Sequence, residues 1–519
     1  MSYRIGIDVG GTNTDAVVLD ERLEVVASIK SPTEADSGDG VARAIDRVLE
    51  ASGIPASEVR AAMLGTTHCT NAIVERRGLG RVGVLRIGGP ATTAVPPFEG
   101  WPRELRDAVA GPAFVIAGGN EFDGREISAL DEAAVRAACA EMRGAVDAVA
   151  VVGVFSPVAD AHELRAAEIA EEELGLPVSR SAEIGSIGLL ERENATILNA
   201  ALVRTLGRMA DGFRESLDAH GIDADIYFGQ NDGTLMRLDF ALRFPVLTIG
   251  CGPTNSIRGA AHLSGVGDAL VVDIGGTTTD IGVLVGGFPR QSAHAAEIGG
   301  IRTNFRMPDV LSVGLGGGTV VRGTGGTGAS GTDPIVLGPD SVGFRITSEA
   351  LVFGGGTLTT TDIAVAGGRL EITGGRPVSV EPRLREASEA AIRALLEESI
   401  DRMKPSAAPV PIVLVGGGSV ISPDGLAGVS AVIRPDHAGA ANAVGAALGD
   451  VAGQAERVFS LRETSRQEAV DAVRAEAVER AVAAGAAAET VEVLALEELP
   501  VAYMEDTVIV RARAAGRLV

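Results

Sequence analysis

Apolar and polar positions along this chain group into short runs that switch between strand and helix periods. Residues 3–7, 16–19 and 25–30 are three apolar-rich runs set close together, which predicts a three-strand meander. Residues 41–51 carry helical spacing. A strand over 61–64 leads into Gly65-Thr-Thr-His-Cys-Thr-Asn71 and then an amphipathic helix ending near Arg77. Residues 82–87 read as a further strand, and the Pro- and Gly-rich stretch 88–112 reads as irregular. A helix is expected over 131–142, with Ser128 or Asp131 as its cap. The nearly unbroken apolar run 146–155 reads as a strand buried on both faces, followed by a helix over 162–174. A long helix over 193–220 opens a second region. Apolar runs at 222–228, 233–236 and 244–249 follow it, then Gly250-Cys-Gly-Pro-Thr-Asn-Ser256. Beyond these come a Gly-rich stretch at 314–331, a strand at 412–415, helices at 439–448 and 465–484, and a last strand at 507–514.

One phrase occurs twice in this frame. Asp8-Val-Gly-Gly-Thr-Asn-Thr-Asp15 stands between the first two apolar runs, and Asp273-Ile-Gly-Gly-Thr-Thr-Thr-Asp280 stands 265 residues later between two similar runs. Each reads as strand, tight turn, strand. One such turn is an ordinary hairpin; two near-identical turns, each opened and closed by Asp, indicate an internal duplication. Glycine lets backbone N–H groups approach an anion, and successive N–H groups in a turn make an anion-binding concavity. Threonine hydroxyls add donors. An Asp at a strand end suits Mg²⁺, which takes one or two carboxylates together with phosphate oxygens and water. The pair therefore reads as a phosphate clamp.

Composition narrows the possibilities. The net charge of −24 argues against binding a nucleic-acid backbone. The chain's two lysines, Lys30 and Lys404, do not follow glycine, so a Gly-Lys-Ser/Thr phosphate loop is excluded. Aromatic residues make up only 3%, leaving the core to Ala, Val, Leu and Ile. Cys69, Cys139 and Cys251 have no paired spacing and are expected to be small buried side chains. The first residues enter a strand directly, so no signal peptide is expected. No uncharged apolar run is long enough for a membrane span, and a cytoplasmic location is the expectation. His162 and Glu163 do not form a zinc motif, because position 166 is Ala, and there is no Gly-x-Ser-x-Gly elbow for serine catalysis.

The order of motifs resembles the actin-like ATPase superfamily: two phosphate turns, then a strand ending in Gly416-Gly-Gly-Ser419 before a helix. Within it the chain resembles the hydantoinase A / 5-oxoprolinase family, as a short branch. The resembling segments are 65–78, 250–256, 273–280, Ser312-Val-Gly-Leu-Gly-Gly-Gly-Thr319 and Gly338-Pro-Asp-Ser341. The family's Pro-Gly-Pro-Ala-Cys-Tyr-Gly run is replaced here by a stretch beginning Val342-Gly-Phe-Arg, although Thr359-Thr-Thr-Asp362 still fits. The family's fused second catalytic half is also missing, so the resemblance does not single out 5-oxoproline among the cyclic amides.

The resemblance implies an α/β fold of two duplicated actin-like (ribonuclease-H-like) domains flanking a nucleotide cleft. The boundaries expected are 1–185, 186–455 with the Gly-rich insertion, and a helix–strand extension at 456–519. ATP and Mg²⁺ are the implied cofactors. Asp8 and Asp273 are the expected catalytic and Mg²⁺-orienting carboxylates, while Asp15 and Asp280 close the turns. Gly10, Gly11, Thr12, Asn13 and Thr14, with Gly275, Gly276, Thr277, Thr278 and Thr279, would face phosphate. Gly416, Gly417, Gly418 and Ser419 would lie against adenosine, with 316–318 a rival for that place. Thr66, Thr67, His68 and Asn71, after a strand and at a helix start, suit a substrate carbonyl; helix capping by Thr70 or Asn71 is the plainer reading. The activity implied is ATP-dependent activation and hydrolytic ring opening of a cyclic amide such as a hydantoin, 5-oxoproline or other lactam, with a second hydantoinase-type subunit. A ketone carboxylase subunit and a non-enzymatic actin-like ATP switch or chaperone are the alternatives. A homo-oligomer is left open.

Overall fold

In a computed structural model, the described residues are 2–10, 13–32, 37–185, 187–292, 296–304, 307–323, 334–462, 464–501 and 506–518. The fold is mixed α/β. Its largest sheet starts with the expected meander: Tyr3–Val9 (β1), Asn13–Leu19 (β2) and Val25–Pro32 (β3) pair antiparallel in order. Val59–Thr66 (β4) joins β1 in parallel on its other side, and Asp225–Gly229 joins β4 in parallel. From one edge these five strands run third, second, first, fourth, fifth. The sheet continues through Leu235–Arg237, Asp450–Ser460, Thr507–Arg517 and Glu492–Pro500 to nine strands.

A second sheet repeats the first five places. Ala269–Ile274 and Thr279–Val285 pair antiparallel, and Val310–Val313 pairs with the second of them. Val410–Val415 runs parallel to the first, and Val429–Ile433 lies beyond it. The register repeats as well: Asp8 stands opposite Asp15, and Asp273 opposite Asp280.

Sheet membership departs from the boundaries read in the sequence. Strands on both sides of residues 185 and 455 belong to the sheet that begins at Tyr3, so the sheets do not divide at those points. The segment 456–519 supplies an inner strand of that sheet, Thr507–Arg517, and its edge strand, Glu492–Pro500. Local period fixes an element, whereas strand partnership is decided by nonlocal packing. Between β4 and the long helix Leu189–Ala219 lies a separate four-stranded parallel sheet, ordered Ala110–Ala117, Val82–Gly89, Ala148–Gly153, Val178–Arg180. The stretch expected to be irregular holds helix Arg103–Val109 and the start of Ala110–Ala117. Two of its prolines fit these elements, since Pro102 precedes the helix and Pro112 sits in an edge strand, where a missing N–H costs little.

Two helices fasten the halves together. Cys251–Ser264 packs Ile257 and Ala260 on the second sheet, in a core with Val271 and Leu284. Ala441–Ala447 packs Ala443 and Val444 against Val17 and Leu19 of the first. They cross at glycines: a Cβ on Gly259 would lie 1.9 Å from the Ala441 carbonyl, and one on Gly445 would lie 1.8 Å from that of Asn255. Among the described residues no helix is long and apolar enough to cross a membrane.

Candidate active site

The two repeated turns are closed by the same backbone hydrogen bond. Gly10 N–H donates to the Asn13 carbonyl at 3.0 Å, and Gly275 N–H donates to that of Thr278 at 2.9 Å. Gly11 and Thr12 lie outside the described residues.

Each leading aspartate rests on a glycine of the neighbouring strand end. A Cβ at Gly65 would lie 2.7 Å from Asp8 Oδ1, and one at Gly416 would lie 2.2 Å from Asp273 Oδ1. Glycine is therefore required at both places for the carboxylates to fit. Asp8 and Asp273 are buried. Burial, then Asp15 and Asp273, push Asp8 up to about 7, against the pull of Asn442 and Lys30. Burial also raises Asp273, opposed by Ser256, Lys30 and Asn442. Asp15 is raised by burial with Lys30 opposing, and Asp280 reaches about 6 through burial, with its Ser312 hydrogen bond opposing and Asp273 adding to the rise. Asp8, Asp15 and Asp280 all feel Asp273, and Asn442 acts on both leading carboxylates, so the repeats converge on one place.

That place contains buried polar atoms without protein partners: Asp8 Oδ1, Asn255 Nδ2 and Asn442 Oδ1. Buried polar groups are normally paired, so they fit a polar ligand, cation or water between the halves. Among the described residues no group of three or more His, Cys, Asp and Glu could hold a metal alone. A cation here would take one or two carboxylates and complete its shell from a ligand's oxygens and water, as Mg²⁺ does with phosphates.

The second turn is flanked by two glycine runs. Gly418 N–H donates to the Ile274 carbonyl at 2.7 Å, and Gly416 has φ +87°. Ser419 begins a short 3-10 turn, Ser419–Ile421. Against the same turn, Gly317 and Gly318 donate to the Gly275 and Gly276 carbonyls at 3.0 and 2.7 Å. The 316–318 run thus buttresses the second turn, and Thr360 and Thr361 hydroxyls hold it through the Gly317 carbonyl at 2.9 and 2.8 Å. Thr278 is exposed, and Gly276 and Thr277 are half-buried. The Thr279 hydroxyl is buried and donates to the Leu315 carbonyl at 2.6 Å. Thr14, its counterpart, is buried too.

The Thr66-Thr67-His68 segment lies beside the first turn, with Thr66 opposite Val9. Much of its hydrogen bonding is local. Thr66 Oγ accepts from His68 N–H at 3.0 Å, and Asn71 Nδ2 donates to Thr67 Oγ at 3.3 Å. Thr67 is the cap position of helix His68–Glu75, not Thr70 or Asn71. Burial lowers His68, with Glu75 opposing and Arg208 adding to the drop, so the ring is neutral at pH 7 and can both donate and accept. The Cys251 thiol donates to the Thr66 carbonyl at 3.1 Å, tying the segment to the 250–256 run. All three cysteines are buried and free.

Sequence reasoning missed Lys30, Gly65, Asn255, Ser256 and Asn442 as parts of this site. Counting residues round the β2–β3 hairpin places Lys30 opposite Asp15, so that signal was available. Asn442 stands in an Ala-rich helix with no local mark.

Two family models match the chain: the hydantoinase/oxoprolinase N-terminal region over residues 4–174, and hydantoinase/oxoprolinase over 192–404. The chain belongs to the hydantoinase/oxoprolinase family. It is 28% identical to caprolactamase subunit alpha of Pseudomonas jessenii over 428 residues, 77% of this chain and 59% of that relative. The chain therefore spans less than two thirds of that family member's length. Among solved structures, the ATP-dependent caprolactamase from Pseudomonas jessenii aligns with TM-score 0.76 at 21% identity, covering 99% of this chain and 87% of that one. A nucleotide-free acetone carboxylase aligns with TM-score 0.68 at 19% identity, covering 99% and 88%. At these identities the likeness establishes the shared fold.

Proposed function

We propose that this chain is the ATP-using subunit of an enzyme that activates and opens a cyclic amide, working with a second hydantoinase-type subunit. The observation that carries the reading is the convergence of two turns of identical register on the buried Asp8 and Asp273. We read the two repeated five-strand units as actin-like, ribonuclease-H-like domains, with the nucleotide between them. Relatives named as a caprolactamase subunit and as an ATP-dependent caprolactamase support the substrate class and the second subunit.

In this reading both turns face the phosphates, the second offering the backbone N–H groups of Gly276, Thr277 and Thr278 and the hydroxyls of Thr277 and Thr278. Asp8 and Asp273 orient Mg²⁺ through water, and 416–419 lies against adenosine. When bound, Mg·ATP would supply a phosphoryl group to the ring carbonyl oxygen, opening its carbon to water; the ring C–N bond then breaks with the nitrogen taking a proton, and a second water releases phosphate. Thr66, Thr67, His68 and Asn71 present the ring carbonyl; a neutral His68 donates a hydrogen bond without bringing a charge. Water held out of the space between the halves cannot waste the nucleotide.

Phosphate release from Mg·ATP tests this, using lactams, hydantoins and open-chain amides, with and without a hydantoinase-type second subunit. Stimulation by rings and not by open-chain amides is expected. Stimulation only by a ketone with bicarbonate would make the chain a carboxylase subunit. Nucleotide binding without stimulation by any of these, even with the second subunit, would leave an ATP switch.

A further inference from the structure

Lys30 lies near the end of β3, directly opposite Asp15 in the strand pairing. Its ammonium lies 2.7 Å from each Asp15 carboxylate oxygen. Arg47 anchors the strand end behind it, donating to the Lys30 carbonyl at 3.2 Å and the Ser31 hydroxyl at 2.7 Å. The side chain also reaches the other half of the molecule. A Cβ built on Gly417 would lie 3.5 Å from Lys30 Cε and 3.7 Å from its Nζ, and Gly417 follows the strand Val410–Val415 of the second sheet.

Charge accounting gives this contact its meaning. Asp8, Asp15 and Asp273 are buried together, and Lys30 is a cation whose field reaches all three. A phosphate chain entering this place would add more negative charge. Turn N–H groups carry only partial charges, and the sequence has no glycine-lysine phosphate loop. The Lys30 side chain is about two-fifths exposed, so it can move, whereas that of Asp15 is one-tenth exposed. The matching place in the second repeat, opposite Asp280, holds the uncharged Ser312. One repeat therefore has a partly exposed cation where the other has a hydroxyl.

We infer that Lys30 is a phosphate-binding residue, held by Asp15 in the free protein and turning to the phosphate chain of a bound nucleotide between the first turn and Gly417. This rests on the nucleotide reading above. A lysine serves here as a point charge on a flexible stem, which suits a group that must exchange one anion for another.

Dissociation constants for Mg·ATP and for adenosine, measured on the full chain by ligand-observed NMR and calorimetry, test the inference. Lys30→Met keeps the stem and removes the charge. It is expected to weaken Mg·ATP at least tenfold and leave adenosine within twofold. Lys30→Arg should recover most of the ATP affinity. Asp15→Asn, which releases the lysine, should bind Mg·ATP at least as tightly as the unaltered chain. Unchanged ATP affinity in Lys30→Met would overturn the inference and leave Lys30 a counter-ion of Asp15. An equal loss for adenosine would also overturn it, since Lys30 would then be propping the Gly417 wall. If the unaltered chain bound neither ligand, the nucleotide reading itself would fall and this inference with it. Unfolding midpoints of the variants separate a failure to fold from a loss of binding.

Discussion

Burial and the nearby Asp15 and Asp273 carboxylates hold Asp8 at about 7, where a free aspartate titrates near 3.9. A carboxyl raised in the folded state favours folding in its protonated form. Its contribution is complete below about pH 4 and is lost as the pH rises through about 7. Asp8→Asn is neutral at every pH. The variant is expected to match the unaltered chain's unfolding midpoint near pH 4 and to exceed it at pH 8; a lower midpoint at pH 8 would contradict this origin of the shift. Mg·ATP should reverse the sense, because a cation favours the carboxylate. Binding near pH 6.5 is expected to release protons, measurable by calorimetry in buffers of different ionisation enthalpy. At this scale the sequence revealed Asp8 and Asp273 because their turns recur as a phrase. It did not reveal Asn255 or Asn442, whose place depends on how two helices cross, nor that the Thr279 hydroxyl donates to the Leu315 carbonyl.

The elements depend on glycine where backbones meet. At Gly416 a side chain would meet Asp273 Oδ1 at 2.2 Å and the Ile274 carbonyl at 2.4 Å, and φ is +87°. Gly416→Ala is expected to cost about 2–4 kcal/mol, from left-handed backbone strain and overpacking together, read from denaturant midpoints. Gly445→Ala drives a methyl into the Asn255 carbonyl of the facing helix, and neither backbone can yield without parting the pair. A loss of about 3 kcal/mol or more is expected, again as a shifted midpoint. The meander, the long helix Leu189–Ala219 and the strand before Gly416 were legible because each has a clear local period, whereas the helices Cys251–Ser264 and Pro382–Met403 were not read. The stretch 88–112 was not legible, since proline and glycine mark turns and edge strands alike.

For the whole molecule, chain order and spatial order part company. The sheet begun at Tyr3 takes strands from the last seventy residues, and Thr507–Arg517 lies between Asp450–Ser460 and Glu492–Pro500. Removing residues 461–519 would leave Asp450–Ser460 as a long unpaired edge. Such edges template association. The shortened chain is expected to aggregate on expression, as size-exclusion chromatography would show, while a monodisperse product would contradict the sheet order. No local pattern announces this return of the chain, because a strand's own residues do not name its neighbour.

The matched registers of Asp8 with Asp15 and Asp273 with Asp280 make the two repeats locally equivalent. In the first Lys30 faces Asp15, while in the second Ser312 faces Asp280. Equivalent places with unlike charges give the pair a polarity. An elongated anion held between the repeats would be read head from tail, and each half would be committed to one end of the ligand.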